Sequence, residues 1–372
     1  MLEVTHKELK ILINKHYFLK QPLMIYGGFG IGKSESVKDT AKEIAKEKKK
    51  DFVEWNYISE EKKRELIGNT KGKFIFADER IAMQDPSDIK GIPSFVEGFT
   101  SWNSPLLFKV LSEEEADGII FFDEINTASP MMMNACLQII HDRCVGNLSL
   151  SKNVVVFGAG NRGSVDRSAT SEIPYPLKDR ASEVELLCPD VEAWSQWGME
   201  NSHNIDSRIL AFLKWRPSAM MRVDFKSKDK PTTPRGWSKT SGLIEGETEE
   251  ATIEMLVAGR VGKATAIEFD TFIKLHNKVD SKDFLDNPNK VKKVTEIDQK
   301  YALISAITEY YKKNKTADIF GKCGKVCLVL EPEFGVLLFR FIKSTDDVFW
   351  GKEWGKSPEF TKFALENGKY LL

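Results

Sequence analysis

The chain has 372 residues, of which 41% are hydrophobic and 29% charged, a composition typical of folded globular proteins and unlike that of disordered ones. Its length predicts about two domains, and no apolar run approaches the roughly 18 residues that a membrane span needs. The formal net charge of −1 lacks the basic excess that is typical of dedicated nucleic-acid binders. Five scattered cysteines favour a reducing compartment, so a cytoplasmic protein is expected.

The first segments predict a helix, a strand and a second helix. Charges run through MLEVTHKELKILINKHYF, so it predicts a short amphipathic helix and not a signal peptide. PLMIY predicts a buried strand, and SESVKDTAKEIAKEKKK predicts an amphipathic helix opening at Ser34. Between them, Gly27, four residues and then Gly32-Lys33-Ser34 fit the pattern GxxxxGK[ST].

A glycine loop between a strand and a helix is typical of a phosphate-binding site. Glycine lets backbone N–H groups curl around a phosphate, and the helix N-terminus directs the positive end of its dipole toward it. Lys33 would reach the β- and γ-phosphates of ATP, and the Ser34 hydroxyl would ligate Mg²⁺. The alternative is a glycine-rich turn that binds nothing. The other predicted cofactor-binding residues are Gly27, Gly28, Phe29, Gly30, Ile31, Gly32 and Glu35.

The segment after this helix predicts one strand and then an irregular stretch. DFVEWNY has the apolar content of a strand. DPSDIKGIPSFVEGFTSWNSP, from Asp85 to Pro105, contains too many glycine, proline and serine residues for one regular element. This stretch also carries the aromatic residues Phe95, Phe99 and Trp102.

Two carboxylates follow the next apolar run. GIIFFDE predicts a central buried strand with Asp123 and Glu124 at its C-terminal end. Ligands of parallel α/β sheets bind outside those strand ends, so both acids would face the glycine loop. Asp123 would hold Mg²⁺ through its water shell, and Glu124 would polarise the attacking water. Alone, such an acidic pair is more often a plain strand end, and it is the glycine loop that favours catalysis.

The strand KNVVVFGAGN would deliver Asn161 to the same edge of the sheet. A neutral amide there would orient the water or contact the γ-phosphate, and the alternative is an asparagine that caps the strand. Between the two strands, MMMNACLQIIHDRCVG predicts a helix whose methionines belong to the core.

Two arginines are candidates for completing the site. Arg180 lies in YPLKDRASEVELL, at the end of a short helical stretch, and would act on the nucleotide of a neighbouring subunit. Thr233 and Pro234 predict a helix start that places Arg235 in the first turn, where a guanidinium is unfavourable unless an anion lies nearby. A surface salt bridge is the alternative for each. Arg143 is the next candidate for the role of Arg180.

Together these segments resemble the AAA+ ATPases, and within them a phage- or prophage-type member of the MoxR-like group in the helix-2-insert clade. GGFGIGKS is similar to Walker A, IIFFDE to Walker B, and VVVFGAGN to the strand that ends in sensor 1. PLKDR resembles the arginine-finger segment, with Ala181 in place of the usual phenylalanine, and TPRGW resembles sensor 2 of the lid. DPSDIKGIPS, FLKWRPSAM and VAGRVGKATAIEF resemble further segments of the group.

The resemblance implies an α/β fold. Residues 1–190 would form a three-layer αβα P-loop core with a parallel sheet, and residues 191–372 a mainly helical lid and C-terminal extension. Lys33 and Asp123 lie 90 residues apart, more than two βα units need, and the surplus falls where the helix-2 insert would lie, about 85–105. Residues of about 143–151 would form the hairpin before sensor 1. In this family both features face the pore of a ring.

The resemblance also implies a hexameric, Mg²⁺-dependent ATPase that remodels protein complexes, with a separate von Willebrand factor A-type partner that selects the client. A nucleic-acid translocase is a second hypothesis, against which the near-neutral charge weighs. A third is a scaffold that binds ATP and barely hydrolyses it, against which the full set of Asp123, Glu124 and Asn161 weighs. In a small-molecule kinase, the second acid and the lid arginine have no obvious role.

Overall fold

The computed structural model describes residues 1–96, 98–163, 179–200, 203–345, 351–352 and 354–371. The chain divides into two compact units, Met1–Cys188 and Pro189–Leu372. The first is built on a parallel sheet with flanking helices, and the second is helical. The fold class predicted from the sequence is therefore confirmed.

Seven parallel strands form the main sheet of the first unit. The strands described are Leu2–Val4 (β1), Leu23–Tyr26 (β2), Asp51–Glu54 (β3), Lys73–Arg80 (β4), Ile92–Val96 (β5), Phe99–Asn103 (β6), Asp117–Asp123 (β7), Cys144–Val145 (β8), Leu148–Ser149 (β9), Asn153–Gly160 (β10) and Ser182–Leu186 (β11). The order in the main sheet is β1-β11-β2-β10-β7-β4-β3, so the C-terminal ends of its seven strands lie at one edge. Two antiparallel pairs, β5 with β6 and β8 with β9, lie outside this sheet.

Helices cover both faces of the sheet, which is why its central strands are almost continuously apolar. The described helices of the first unit are His6–Leu19 (α1), Lys33–Glu47 (α2), Glu60–Glu65 (α3), Pro86–Lys90 (α4), Leu106–Leu111 (α5) and Pro130–Asp142 (α6). On one face, the Tyr17 ring of α1 lies 5.6 Å from that of Phe74, and α2 packs beside it. On the other face, Ile120 and Val156 share a buried cluster with Phe108 of α5 and residues of α6. The unit therefore has three layers.

Helix α2 is anchored at the end far from the glycine loop. Beyond its last turn, Lys48 and Lys50 donate hydrogen bonds to the buried Asp117 carboxylate, the second across 2.8 Å. The Tyr17 hydroxyl donates to the same carboxylate. Burial alone would raise the pKa of Asp117, but the three donors outweigh it and hold the pKa below its usual range. The ionised carboxylate thus ties α1, α2 and β7 together at the N-terminal edge of the sheet.

Four parts of the first unit differ from the sequence expectations. β1 occupies the start of the segment predicted as the N-terminal helix, which begins only at His6, and β1 pairs with β11. β4, with the sequence KFIFADER, was not predicted, because charges flank its four buried apolar residues. The stretch from Asp85 to Pro105, expected to be irregular, contains α4 and the β5–β6 hairpin, since its glycines stand at the breaks between elements. The predicted strand DFVEWNY ends at Glu54 and continues as a 3₁₀ turn, Trp55–Tyr57.

The second unit is a helical bundle around an aromatic core. Phe212 and Phe269 pack edge to face at 5.1 Å, and the buried Trp237 donates its indole N–H to the carbonyl oxygen of Ala219 at 2.9 Å. The last helix packs on the same bundle through Phe360, 4.4 Å from the ring of Phe320. The described helices are Val191–Met199, Ser207–Trp215, Pro234–Ile244, Glu250–Val261, Lys263–Asn277, Ser281–Asp286, Ile297–Lys313, Ala317–Val329, Pro332–Ser344 and Pro358–Leu371.

None of the helices that the structure describes combines the length and the apolar character needed to cross a membrane.

Candidate active site

The glycine loop joins β2 to α2 at the C-terminal edge of the sheet. Gly32, at the N-cap of α2, has a φ of 103°, a backbone conformation that favours glycine. Gly32 has no side chain with which to cap the first turn of α2. Such an N-terminus at a glycine loop fits the phosphates of a nucleotide.

Lys33 is buried at the base of this loop. Its Nζ donates to the carbonyl oxygens of Gly27 at 2.7 Å and Gly28 at 2.9 Å, and to Oδ1 of Asn161 at 3.2 Å. A buried ammonium needs such acceptors, because burying an unpaired charge costs several kcal/mol. The loop and the end of β10 therefore converge on one cation.

Ser34 and Asp123 form the second contact of the site. The Ser34 hydroxyl donates to Oδ2 of Asp123 at 2.7 Å, and Oδ1 of the same carboxylate accepts the backbone N–H of Glu124 at 2.9 Å. A hydroxyl and a carboxylate are the hard oxygen ligands that Mg²⁺ prefers. The pair therefore fits a magnesium site at the first turn of α2.

Glu124 turns away from the strand that carries Asp123. Its φ of 55° lies in the left-handed region, uncommon for a residue with a side chain and often found at functional sites. The Glu124 carbonyl accepts both the N–H and the hydroxyl of Thr127, which fixes this turn. Its carboxylate is exposed and forms no hydrogen bond or ion pair within the part of the chain that is described. A carboxylate so placed suits a general base.

Asp78, near the end of β4, lies close to Asp123 on the sheet face that α2 covers. The β4–β7 register pairs Arg80 with Asp123, so Asp78 and Asp123 point to the same face. Burial, and then the charge of Asp123, raise the pKa of Asp78 to about 6. Its Oδ1 is buried without a hydrogen-bond partner among the described residues. The sequence did not single out Asp78, because β4 itself was not predicted.

Three further residues that the sequence analysis missed adjoin the loop. The Nε2–H of His6 donates to the carbonyl oxygen of Ile31 at 2.9 Å, and burial lowers the pKa of this imidazole. The Arg162 guanidinium lies against Gly28, where an added Cβ would stand 3.2 Å from Nη2. The third, Asn126, holds the backbone of Asn161. Arg162 and Asn126 adjoin quoted motifs in the sequence, whereas no sequence signal marks His6.

The sequence analysis also assigns roles to Arg180 and Arg235. Arg180 is exposed, and within the described residues it makes no hydrogen bond or ion pair; most of the predicted helical stretch before it lies outside the described residues. Arg235 is exposed in the second unit, in the first turn of the helix that begins at Pro234 with Thr233 as its N-cap. The helix start is as predicted, and the roles of both arginines stay predictions.

No protein-family model and no curated protein matches the chain. Solved structures do. NtrX from Brucella abortus is 13% identical, with 91% of this chain and 68% of that chain covered and a TM-score of 0.36. The same protein in complex with ADP is 14% identical, with coverage of 82% and 64% and a TM-score of 0.36. A point variant of RuvB from Thermotoga maritima is 11% identical, with coverage of 78% and 77% and a TM-score of 0.33. At such low scores these likenesses say nothing of function, which rests on the site itself.

Proposed function

We propose that the chain is a Mg²⁺-dependent ATPase of the AAA+ type, within the MoxR-like group. One observation carries the proposal: Lys33 and the Ser34–Asp123 pair meet at the C-terminal edge of the sheet, and Asn161 accepts a hydrogen bond from the same lysine. A binding turn without hydrolysis would not need Glu124 beside them.

Each residue of the site has a task in this reaction. Backbone N–H groups of the loop and the Lys33 ammonium would bind the phosphates, exchanging the carbonyl contacts of Lys33 for phosphate oxygens. Ser34 and Asp123 would hold Mg²⁺, which neutralises the charge that develops between the β- and γ-phosphates. Glu124 would accept a proton from the attacking water, and the Asn161 amide would orient that water.

Two variants test the proposal by separating binding from hydrolysis. Lys33→Ala should lose about tenfold to a hundredfold in affinity for an ATP analogue, since a hydrogen bond to a charged group contributes about 1.5–3 kcal/mol. Glu124→Gln should bind Mg·ATP normally and turn over at least about a hundredfold more slowly.

The matched control is Lys38→Ala, which removes a lysine of the same helix that pairs with Glu35 and Glu54. Calorimetry and a phosphate-release assay should find this variant close to wild type. Unchanged affinity in a folded Lys33→Ala protein would remove the phosphate-loop assignment. Near wild-type turnover by Glu124→Gln would mean that another group activates the water.

We infer further that the ATPase works as a hexameric ring that remodels protein complexes, with a separate von Willebrand factor A-type partner. The sequence resemblance supports this, with residues 1–190 as the core and 191–372 as the lid and extension. The five unpaired cysteines support a cytoplasmic site of action. Affinity capture with Glu124→Gln and ATP would identify the client. Strong, salt-sensitive stimulation of hydrolysis by DNA would instead favour the translocase hypothesis.

A further inference from the structure

We infer that Asn126 is a positioning residue that fixes Asn161 relative to Lys33 and Glu124; the inference rests on the proposed ATPase function. Asn161 follows directly after β10, whose last paired residue is Gly160, opposite Tyr26. The ladder to β7 ends even earlier, at Gly158. Asn161 thus stands just beyond the residues that pair with β2 and β7.

The Asn126 side chain binds the backbone of Asn161 at this point. Its Oδ1 accepts the backbone N–H of Asn161 at 3.0 Å, and its Nδ2 donates to the backbone oxygen of Asn161 at 2.7 Å. The side-chain amide of Asn126 thus binds both the backbone N–H and the backbone C=O of Asn161. Asn126 is only 5% exposed, and a buried amide is stable when both of its ends are bonded.

Gly160 permits this close approach. A Cβ at Gly160 would stand 2.9 Å from Oδ1 and 3.0 Å from Cγ of Asn126, distances at which something must shift. The backbone just before Asn161 therefore packs directly on the Asn126 amide. A side chain at position 160 would displace the Asn126 amide from the Asn161 backbone without altering Asn126 itself.

The two hydrogen bonds from the Asn126 amide to the Asn161 backbone, here called the clamp, connect the turn after Glu124 with Asn161. Asn126 stands in the 3₁₀ turn Ile125–Thr127, directly after Glu124. Asn161, which it holds, reaches the Lys33 ammonium through its own side chain. Asn126 therefore sets the spacing between the base that activates the water and the amide that orients it. A misplacement of about 1 Å at such a site can cost on the order of a hundredfold in rate.

A purely structural clamp is the alternative, and the chain contains a matched example. Asn56 holds the backbone of Asp78 in the same way, with its Oδ1 accepting the N–H at 2.8 Å and its Nδ2 donating to the oxygen at 2.9 Å. Asn56→Ala therefore removes the same two types of hydrogen bond at β4. It reports what the loss of such a clamp does apart from Asn161.

The test is a double-mutant cycle on kcat and on ATP affinity. Asn126→Ala should lower kcat by about tenfold to a hundredfold and leave the affinity for an ATP analogue within about threefold. In the Asn161→Ala background the same change should lower kcat by less than about twofold, because the amide that it positions is gone. Asn56→Ala should instead have the same effect on kcat in both backgrounds. Gly160→Ala should reproduce the kinetics of Asn126→Ala, and it tests the contact independently if Asn126→Ala does not fold.

Wild-type kcat in a folded Asn126→Ala or Gly160→Ala protein overturns the inference. If the losses of kcat caused by Asn126→Ala and Asn161→Ala add in full in the double variant, Asn126 has only a structural role. That outcome also overturns the inference. If the wild-type chain binds ATP and turns none over, the proposed function falls and the inference falls with it. Wild-type turnover that is indifferent to Asn126 refutes the inference alone.

Discussion

The hydroxyl of Ser34 and the carboxylate of Asp123 stand 2.7 Å apart, so the first turn of α2 and the end of β7 direct oxygen atoms to the same point. Asp123→Asn should weaken the apparent affinity for Mg²⁺ by about tenfold or more, at least what loss of an outer-shell partner costs. Binding of an ATP analogue in EDTA should not change. Calorimetry with and without Mg²⁺ checks this, and equal Mg²⁺ dependence in variant and wild type would contradict it.

Asp78 gives a prediction about pH in metal-free protein. Its folded-state pKa of about 6 lies above that of an unfolded aspartate, so the folded state binds the proton more tightly. The free energy of unfolding that Asp78 contributes therefore falls as the pH rises from about 4 to about 6. Asp78→Asn should gain stability relative to wild type across that window and keep the gain above it, as measured by denaturant unfolding in EDTA.

Asp51 supplies a control of the opposite sign. A hydrogen bond from Lys73 lowers the pKa of this exposed carboxyl. The stability that it contributes is present above its unfolded pKa and is lost as the pH falls through the folded one. Asp51→Asn should therefore show no gain that grows toward neutral pH. A flat difference between Asp78→Asn and wild type from pH 4 to 7 would contradict the assignment for Asp78.

Two aromatic residues on one face of the β5–β6 hairpin differ in their exposure to solvent. Phe95 is 79% exposed, whereas Trp102 is 39% exposed and packs on Gly146, between β8 and β9. The side chain of Phe99 lies outside the described residues. Phe95→Ala should thus leave the melting temperature unchanged and reduce the client that Glu124→Gln retains. Trp102→Ala should lower the melting temperature by about 2–4 °C for each kcal/mol of packing lost.

These two variants should be compared at equal ring assembly. If Phe95→Ala retains as much client as its parent, the exposed ring is not a client contact. If Trp102→Ala melts with the wild type, its packing on Gly146 contributes nothing to stability.

Arg180 should act on a neighbouring subunit's nucleotide. It is exposed, and within the described residues no hydrogen bond or ion pair holds its side chain. Arg180→Ala should bind ATP normally and hydrolyse it about 10³-fold more slowly or worse, the range for a trans arginine. Arg143 is the weaker candidate, because it already donates to the backbone oxygens of Ser151 and Val154.

Mixing two inactive proteins tests this trans role. Lys33→Ala keeps its arginine and lacks a working nucleotide site, while Arg180→Ala keeps the site. Mixed rings should recover activity at interfaces that combine the two intact halves. If mixed rings form and show only the sum of the separate activities, Arg180 acts within its own subunit or only in folding.

The motifs of the site could be predicted from the sequence because each has a fixed local spacing. The glycine loop is one continuous run of residues, and so is the pair Asp123-Glu124. Each of them follows an apolar strand. The parallel sheet then brings their ends to one edge, which is a general property of such sheets. The contacts Lys33–Asn161 and Ser34–Asp123 are consistent with that reasoning.

The remaining residues of the site depend on contacts that no local pattern encodes. His6 meets Ile31 only because β1 and α1 fold back beside the loop. Asp78 could not be singled out because the strand that carries it, β4, was not predicted. The apolar run of β4 has only four residues and is flanked by charges. Asn126 is ordinary in sequence, since its role comes from where the β10 ladder stops.

The hydrogen bonds that Asp117 accepts from Tyr17, Lys48 and Lys50 have a mechanical consequence for the candidate site. Helix α2 has 15 residues and so spans about 22 Å, with the glycine loop at its N-terminal end and the Asp117 contacts of Lys48 and Lys50 behind its last turn. A helix held by these contacts behind its last turn cannot slide along its axis. If a phosphate binds, either the glycine loop changes conformation while α2 stays in place, or α2 rotates about the contacts with Asp117. In both cases the end of α2 beside Asp117 would stay in place, and the displacement would be largest at the glycine loop.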